Sequence, residues 1–198
     1  MQFRAFEPGI EVWGLGLSWM VAGFRIVPET GLRYLTKHGL TVAGPDGKPR
    51  LETNAWYPLE SWLSCFEAIC REVGSSVMFD IGRHVGANAP QPPHIDDIDA
   101  TLRSLDVTYH HFHRKNGVRM FDAATGKMLE GIGHYEYRRA WDAKKILVVC
   151  ENPYPCDFDL GNITGFATRF EPRAKVAHDD EGVCRKRGAE RCSYVITW

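Results

Sequence analysis

Two cysteines near the C-terminus, Cys184 and Cys192, flank a short basic turn, and Glu181 stands three residues before the first of them. Thiolates and carboxylates are ligands that zinc takes in tetrahedral sites. A hairpin closed by that turn brings both sulfurs to its base, so one local segment fills three ligand positions. The best fourth donor is Cys156, which follows PYP at the end of an apolar run and precedes a helical pattern. A thiolate just before a helix N-terminus is favoured by the helix dipole. His178, Asp179, Asp180 and Cys150 are reserves. On spacing alone, C-x7-C also suits two plain thiols or a disulfide. No apolar leader with a cleavage site opens the chain, so a cytoplasmic, reducing compartment is expected, where disulfides are rare.

A second group of residues is aromatic and rich in histidine. Read as a strand, TYHHFH places Tyr109, His111 and His113 on one face and His110 and Phe112 on the other. HYEY places His134 and Glu136 opposite Tyr135 and Tyr137. Neighbouring strands of this kind line a pocket of flat side chains with a few polar tips, the usual character of a ligand site. Catalysis has less support. Cys156 with a histidine is a conceivable nucleophile pair. No Gly-x-Ser-x-Gly elbow, phosphate loop or His-Glu-x-x-His helix is present.

The elements that must position these groups follow from periodicity. In YPLESWLSCFEAICREVG, Leu59, Trp62, Leu63, Phe66, Ile69, Cys70 and Val73 recur at steps of three and four, predicting a helix over 58–73. Pro58 suits its first turn and Gly74 its end. Cys65 and Cys70 are apolar fillers within it. SSVMFDIGRHVG predicts a second, shorter helix, and GANAPQPPH a loop. Ile95, Ile98, Leu102 and Leu105 share one helical face. From residue 107 the period shifts to two, predicting a strand over 107–114 and a meander of short strands beyond it. KKILVVC predicts an apolar strand, and a helix begins near Asp159, where Gly161 and Gly165 allow close packing. The C-terminus predicts two antiparallel strands around KRGAE. Residues 41–54, rich in Gly, Pro and Asp, suit an exposed turn. EVWGLG lacks the context of a dinucleotide fingerprint and suits a buried strand or short helix.

The 198 residues suit one α+β domain, an antiparallel β-sheet packed with helices, whose first 50 residues carry the weakest assignment. Lys and Arg total 24 against 25 Asp and Glu, a net charge of −1, so no nucleic-acid partner is expected. The chain contains no apolar run long enough to predict a membrane span.

The segment CDFDLGNITGFATRF with EGVCRKRGAERCSYVI resembles the C-terminal part of the 4-vinyl reductase domain family. Its pattern of a cysteine, a Gly-x-x-x-Gly-aromatic helix and Glu-x-x-Cys-x7-Cys falls on Cys156, Gly161, Gly165, Phe166, Glu181, Cys184 and Cys192. The resemblance is strongest over 156–198 and looser back to residue 55. It implies a small-molecule-binding domain with a structural zinc held by Cys156, Glu181, Cys184 and Cys192. Two extra residues before Glu181 leave Asp179 and His178 open as alternatives to it. From the phenol-sensing branch it implies a pocket involving His111, Tyr135 and Phe166, beside which Tyr109 falls on the strand face of His111. The expected partners are a small hydrophobic or aromatic molecule and a second copy of the chain. The alternatives are a vinyl reductase-like enzyme acting on a tetrapyrrole and an assembly module.

Overall fold

The computed structural model describes residues 2–23, 28–91, 94–140, 144–179 and 183–198. Strand β1 (Ile10–Trp13) runs directly into helix α1 (Gly14–Gly23), followed by α2 (Pro28–Lys37). A small exposed hairpin pairs Val42 with Arg50, where glycine, proline and aspartate predicted a turn. Strand β2 (Trp56–Pro58) leads into α3 (Leu59–Glu72), α4 (Ser75–Asn88) and α5 (Ile98–His111). Strands β3 (His113–Lys115) and β4 (Val118–Arg119) form the next hairpin. Then come β5 (His134–Arg139), β6 (Lys145–Glu151), α6 (Cys156–Thr168), β7 (Lys175–His178) and β8 (Cys192–Thr197). Two antiparallel four-stranded sheets result, ordered β2-β1-β3-β4 and β7-β8-β6-β5. Among the described residues no helix is long and apolar enough to cross a membrane.

Helix α5 corrects the strand predicted over 107–114. Asp97 caps the helix, accepting a hydrogen bond from the Ala100 N–H at 2.6 Å. Ile98, Leu102, Leu105 and Tyr109 then form one buried stripe that carries the helix through residue 111. The aromatic and histidine content of the segment favours a strand only weakly, and burial of Tyr109 and His110 overrides it. One consequence is that Tyr109 and His111, two positions apart, face different sides of a helix rather than one side of a strand. Helix α4 is also longer than expected, matching α3 in length at 14 residues.

Helices α4 and α6 cross with their backbones in contact. Gly82 and Gly86 of α4 lie against the carbonyls of Phe158 and Asn162, and Gly161 and Gly165 of α6 against those of Phe79 and Arg83. A β-carbon on any of the four would come within 3.0 Å of backbone. The pair in α6 was legible from its spacing. The pair in α4 emerges only in the packing.

Candidate functional site

Alternation along β8 turns Cys192, Tyr194 and Ile196 inward, all fully buried. The Tyr194 hydroxyl donates to the carbonyl of Cys156 at 2.9 Å, which sets the first turn of α6 against this face. Cys184 enters from the connection between β7 and β8, just before a short 3-10 turn at Arg185–Arg187. The three sulfurs converge, with Cys156 Sγ 3.1 Å from Cys192 Sγ and 3.8 Å from Cys184 Sγ, and the last two 4.0 Å apart. His178, at the end of β7, offers a ligand atom within 4.8 Å of all of them. Glu181 lies outside the described residues, as does Asp180. The predicted closing hairpin is therefore changed in form: β7 and β8 pair, but Cys184 sits in their connection rather than on a strand.

Charge in this corner is shared between the cysteines and Arg185. The hydrogen bond from Cys156 holds Cys192 well below the ordinary thiol range against the effect of burial, and the Arg185 backbone N–H and Nε, 3.3 and 3.5 Å from Cys192 Sγ, add to this. The same bond and burial push Cys156 up. The Arg185 guanidinium is itself fully buried. It donates to the Asn152 carbonyl and side chain, to the Tyr154 carbonyl at 2.9 Å and to the Asp159 carboxylate. Burial is the largest single influence and lowers its pKa, but Asp159, Cys150, Tyr194 and the Cys192 sulfur together outweigh it and hold the guanidinium charged. The other Asp159 oxygen accepts from the Tyr135 hydroxyl. In the sequence Arg185 is simply one of three basic residues, with Lys186 and Arg187, of the short turn between the cysteines. Nothing in a run of like charges marks the member that is buried.

Tyr135 and Tyr154 carry this network to an apolar cavity of about 80 Å³. Its walls include Trp19 of α1, Trp62 of α3, Tyr109 of α5, and Phe158 and Phe166 of α6. Burial pushes the hydroxyls of Tyr109, Tyr135 and Tyr154 up, so all three remain neutral donors. Tyr109 donates to the Ile132 carbonyl at 2.8 Å. His113 Nδ1–H donates to the Tyr109 carbonyl at 2.7 Å, and Nε2 accepts from the Tyr154 hydroxyl at 2.8 Å. Two polar atoms of the wall are left over. Asn162 Oδ1 has no partner among the described residues, and Trp62 Nε1–H stands beside the Tyr154 hydroxyl without forming a hydrogen bond of good geometry. Of the positions singled out from sequence, Tyr109, Tyr135 and Phe166 line this cavity. His111 does not: it packs on Trp13, 3.0 Å from an Arg119 nitrogen, on the outer side of α5. The residues missed were Trp62, His113's pairing with Tyr154, and Asn162.

Burial lowers the pKa of His113 to about 4. The unfolded chain takes this proton near pH 6.5 and the folded chain does not, so stability is full above 6.5 and falls as pH drops toward 4. The loss over that window should reach about 3 kcal/mol. Urea unfolding of wild type and His113→Gln at a series of pH values checks this. The wild-type decline should be markedly steeper, and parallel curves would refute the assignment.

No protein-family model matches the chain, and no curated protein does. Solved structures do. An H-NOX protein from S. oneidensis in the Fe(II)NO ligation state aligns over 93% of this chain and 97% of its own, at 15% identity and a TM-score of 0.60. The unliganded Fe(II) H-NOX protein from K. algicida aligns over 93% and 95%, at 10% identity and 0.56. A structure solved to study heme redox potential under porphyrin distortion aligns over 91% and 96%, at 15% and 0.55. The fold is thus that of the H-NOX structures, which corrects the resemblance to the 4-vinyl reductase domain family. The zinc expectation falls with it: two of these neighbours are described in Fe(II) states and the third by its heme.

The cavity of this chain does not fit a heme. A cavity of roughly 150 Å³ accepts benzene. The present one is about half that volume, whereas a porphyrin joins four pyrrole rings. The histidine in its wall, His113, has both ring nitrogens engaged.

Proposed function

We propose that this chain is a small-molecule-binding domain, of the kind used in sensing, that takes its ligand directly into the aromatic cavity. The observation that carries the reading is the pair of buried polar atoms without a hydrogen bond of good geometry, Asn162 Oδ1 and Trp62 Nε1–H, on residues of a largely aromatic wall. Buried polar groups left unpaired are costly, so a ligand that pairs them binds well. Its class is a mainly apolar molecule with one hydroxyl, donating to Asn162 and accepting from Trp62. The volume suits a few heavy atoms, and a single ring once side chains shift. Cys156, Cys184 and Cys192, with His178 as the nearest further donor, form a second element of the reading: a corner for a soft, thiolate-preferring cation that pins α6 to β8. Their separations suit ligands about one ion.

The test is ¹H–¹⁵N NMR titration with 2-propanol and phenol, with toluene as the control lacking a hydroxyl. Saturable shifts of the Trp62 indole and the Asn162 amide are expected, strongest for the alcohols. Asn162→Leu should abolish their advantage over toluene. Absence of saturable shifts, or a stoichiometric Soret band on adding hemin, overturns the reading. Elemental analysis of the same preparation, beside Cys184→Ser, tests the thiol corner: a metal equivalent present in wild type and absent from the variant is expected.

A further inference from the structure

On α5, Asp106 and His110 stand one turn apart, and His134 of β5 faces them. The ligand atoms of these three residues lie within 4.8 Å of one another. Asp106 Oδ2 is 3.0 Å from His134 Nδ1, and Oδ1 is 3.4 Å from His110 Nδ1. The first is the separation of neighbouring donors about a cation at bond lengths of roughly 2.0–2.2 Å, and the second helps to orient the His110 ring. We propose that Asp106, His110 and His134 form a binding site for a divalent transition-metal ion, distinct from the cysteine cluster and from the cavity.

Two features of the histidines carry the proposal. A metal-bound histidine characteristically donates its other ring N–H to a backbone carbonyl or a carboxylate, which fixes tautomer and orientation. His110 donates Nδ1–H to the Asp106 carbonyl at 2.8 Å, leaving an Nε2 lone pair that is fully buried and has no partner among the described residues. His134 places Nε2 3.0 Å from Glu130 Oε2, which leaves Nδ1 turned to Asp106. Two imidazoles and one carboxylate, with His134 and Glu130 reaching solvent, suit the cobalt, nickel and copper class rather than a hard cation. The site also touches the cavity wall, because Asp106 Oδ1 accepts the Tyr135 backbone N–H at 2.9 Å.

The experiment is titration of the whole chain with cobalt(II), followed by visible absorption, using wild type, Cys184→Ser, His134→Ala and Glu130→Gln. A bound equivalent without sulfur-to-cobalt charge transfer should appear in wild type and persist in Cys184→Ser. His134→Ala should remove it. Glu130→Gln, on the exposed rim, should leave the fold intact and weaken binding by about tenfold or more, the usual effect of losing a carboxylate that orients a ligand histidine. Cobalt binding only with the sulfur signature, or a nitrogen-oxygen equivalent unchanged in Glu130→Gln, overturns the proposal.

Discussion

Arg185→Met is expected to cost the protein about 3–5 kcal/mol of stability, read from urea unfolding at neutral pH. Arg185 and Asp159 are both fully buried, and the guanidinium is the counter-charge that this carboxylate has in the interior. Removing one partner leaves an uncompensated buried charge, whereas removing both leaves none. Asp159→Leu combined with Arg185→Met should therefore recover the larger share of the loss, so the two substitutions are strongly non-additive. The single variant has two further consequences. The Tyr154 carbonyl and the Asn152 side chain lose a donor, and the Cys192 sulfur loses the cation that favours its thiolate. The cavity wall and the thiol corner should loosen together, visible as simultaneous loss of alcohol binding and faster thiol titration. A single variant within about 1 kcal/mol of wild type would show that the pair is not the hub that its contacts indicate.

Gly82→Val should be as damaging, or prevent folding, through a different mechanism. The new side chain meets the backbone of α6 at the Phe158 carbonyl, not the movable end of a side chain. Overpacking against side chains costs about 1–3 kcal/mol, and separating two helix backbones puts this site at or beyond the top of that range. Gly16→Ala is the contrast. Gly16 is also helical, but its added carbon makes an ordinary 3.5 Å contact with Phe112. It should be neutral or gain up to about 1 kcal/mol from helix propensity. Equal effects at the two positions would mean that propensity, not close approach, governs these glycines.

Several features of this protein were determined by local sequence. The stripe from Leu59 to Ile69 required a helix, because its side chains recur at helical period, and α3 spans Leu59–Glu72. The apolar run KILVVC required a strand, and β6 spans Lys145–Glu151 with Ile146, Val148, Val149 and Cys150 buried. Gly161 and Gly165 announced a close helix contact, since only residues without side chains permit one. The seven residues between Cys184 and Cys192 put those two sulfurs near each other, and the structure adds Cys156 from 28 positions before Cys184.

Tertiary structure decided the rest. Helix α5 runs to His111 because Tyr109 and His110 find a buried face there, a gain that strand propensity cannot match. That choice moved His111 out of the cavity and left His113, one residue past the helix's end cap, to pair with Tyr154. It also set His110 one turn from Asp106 and opposite His134, which comes from a separate strand. Arg185 became the centre of the site because Asp159, 26 positions away, lies buried across from it. Periodicity within one segment reports which side of an element is apolar. It does not report which partner that side will meet, and the polar network, the cavity and the choice of fold all depend on the partner.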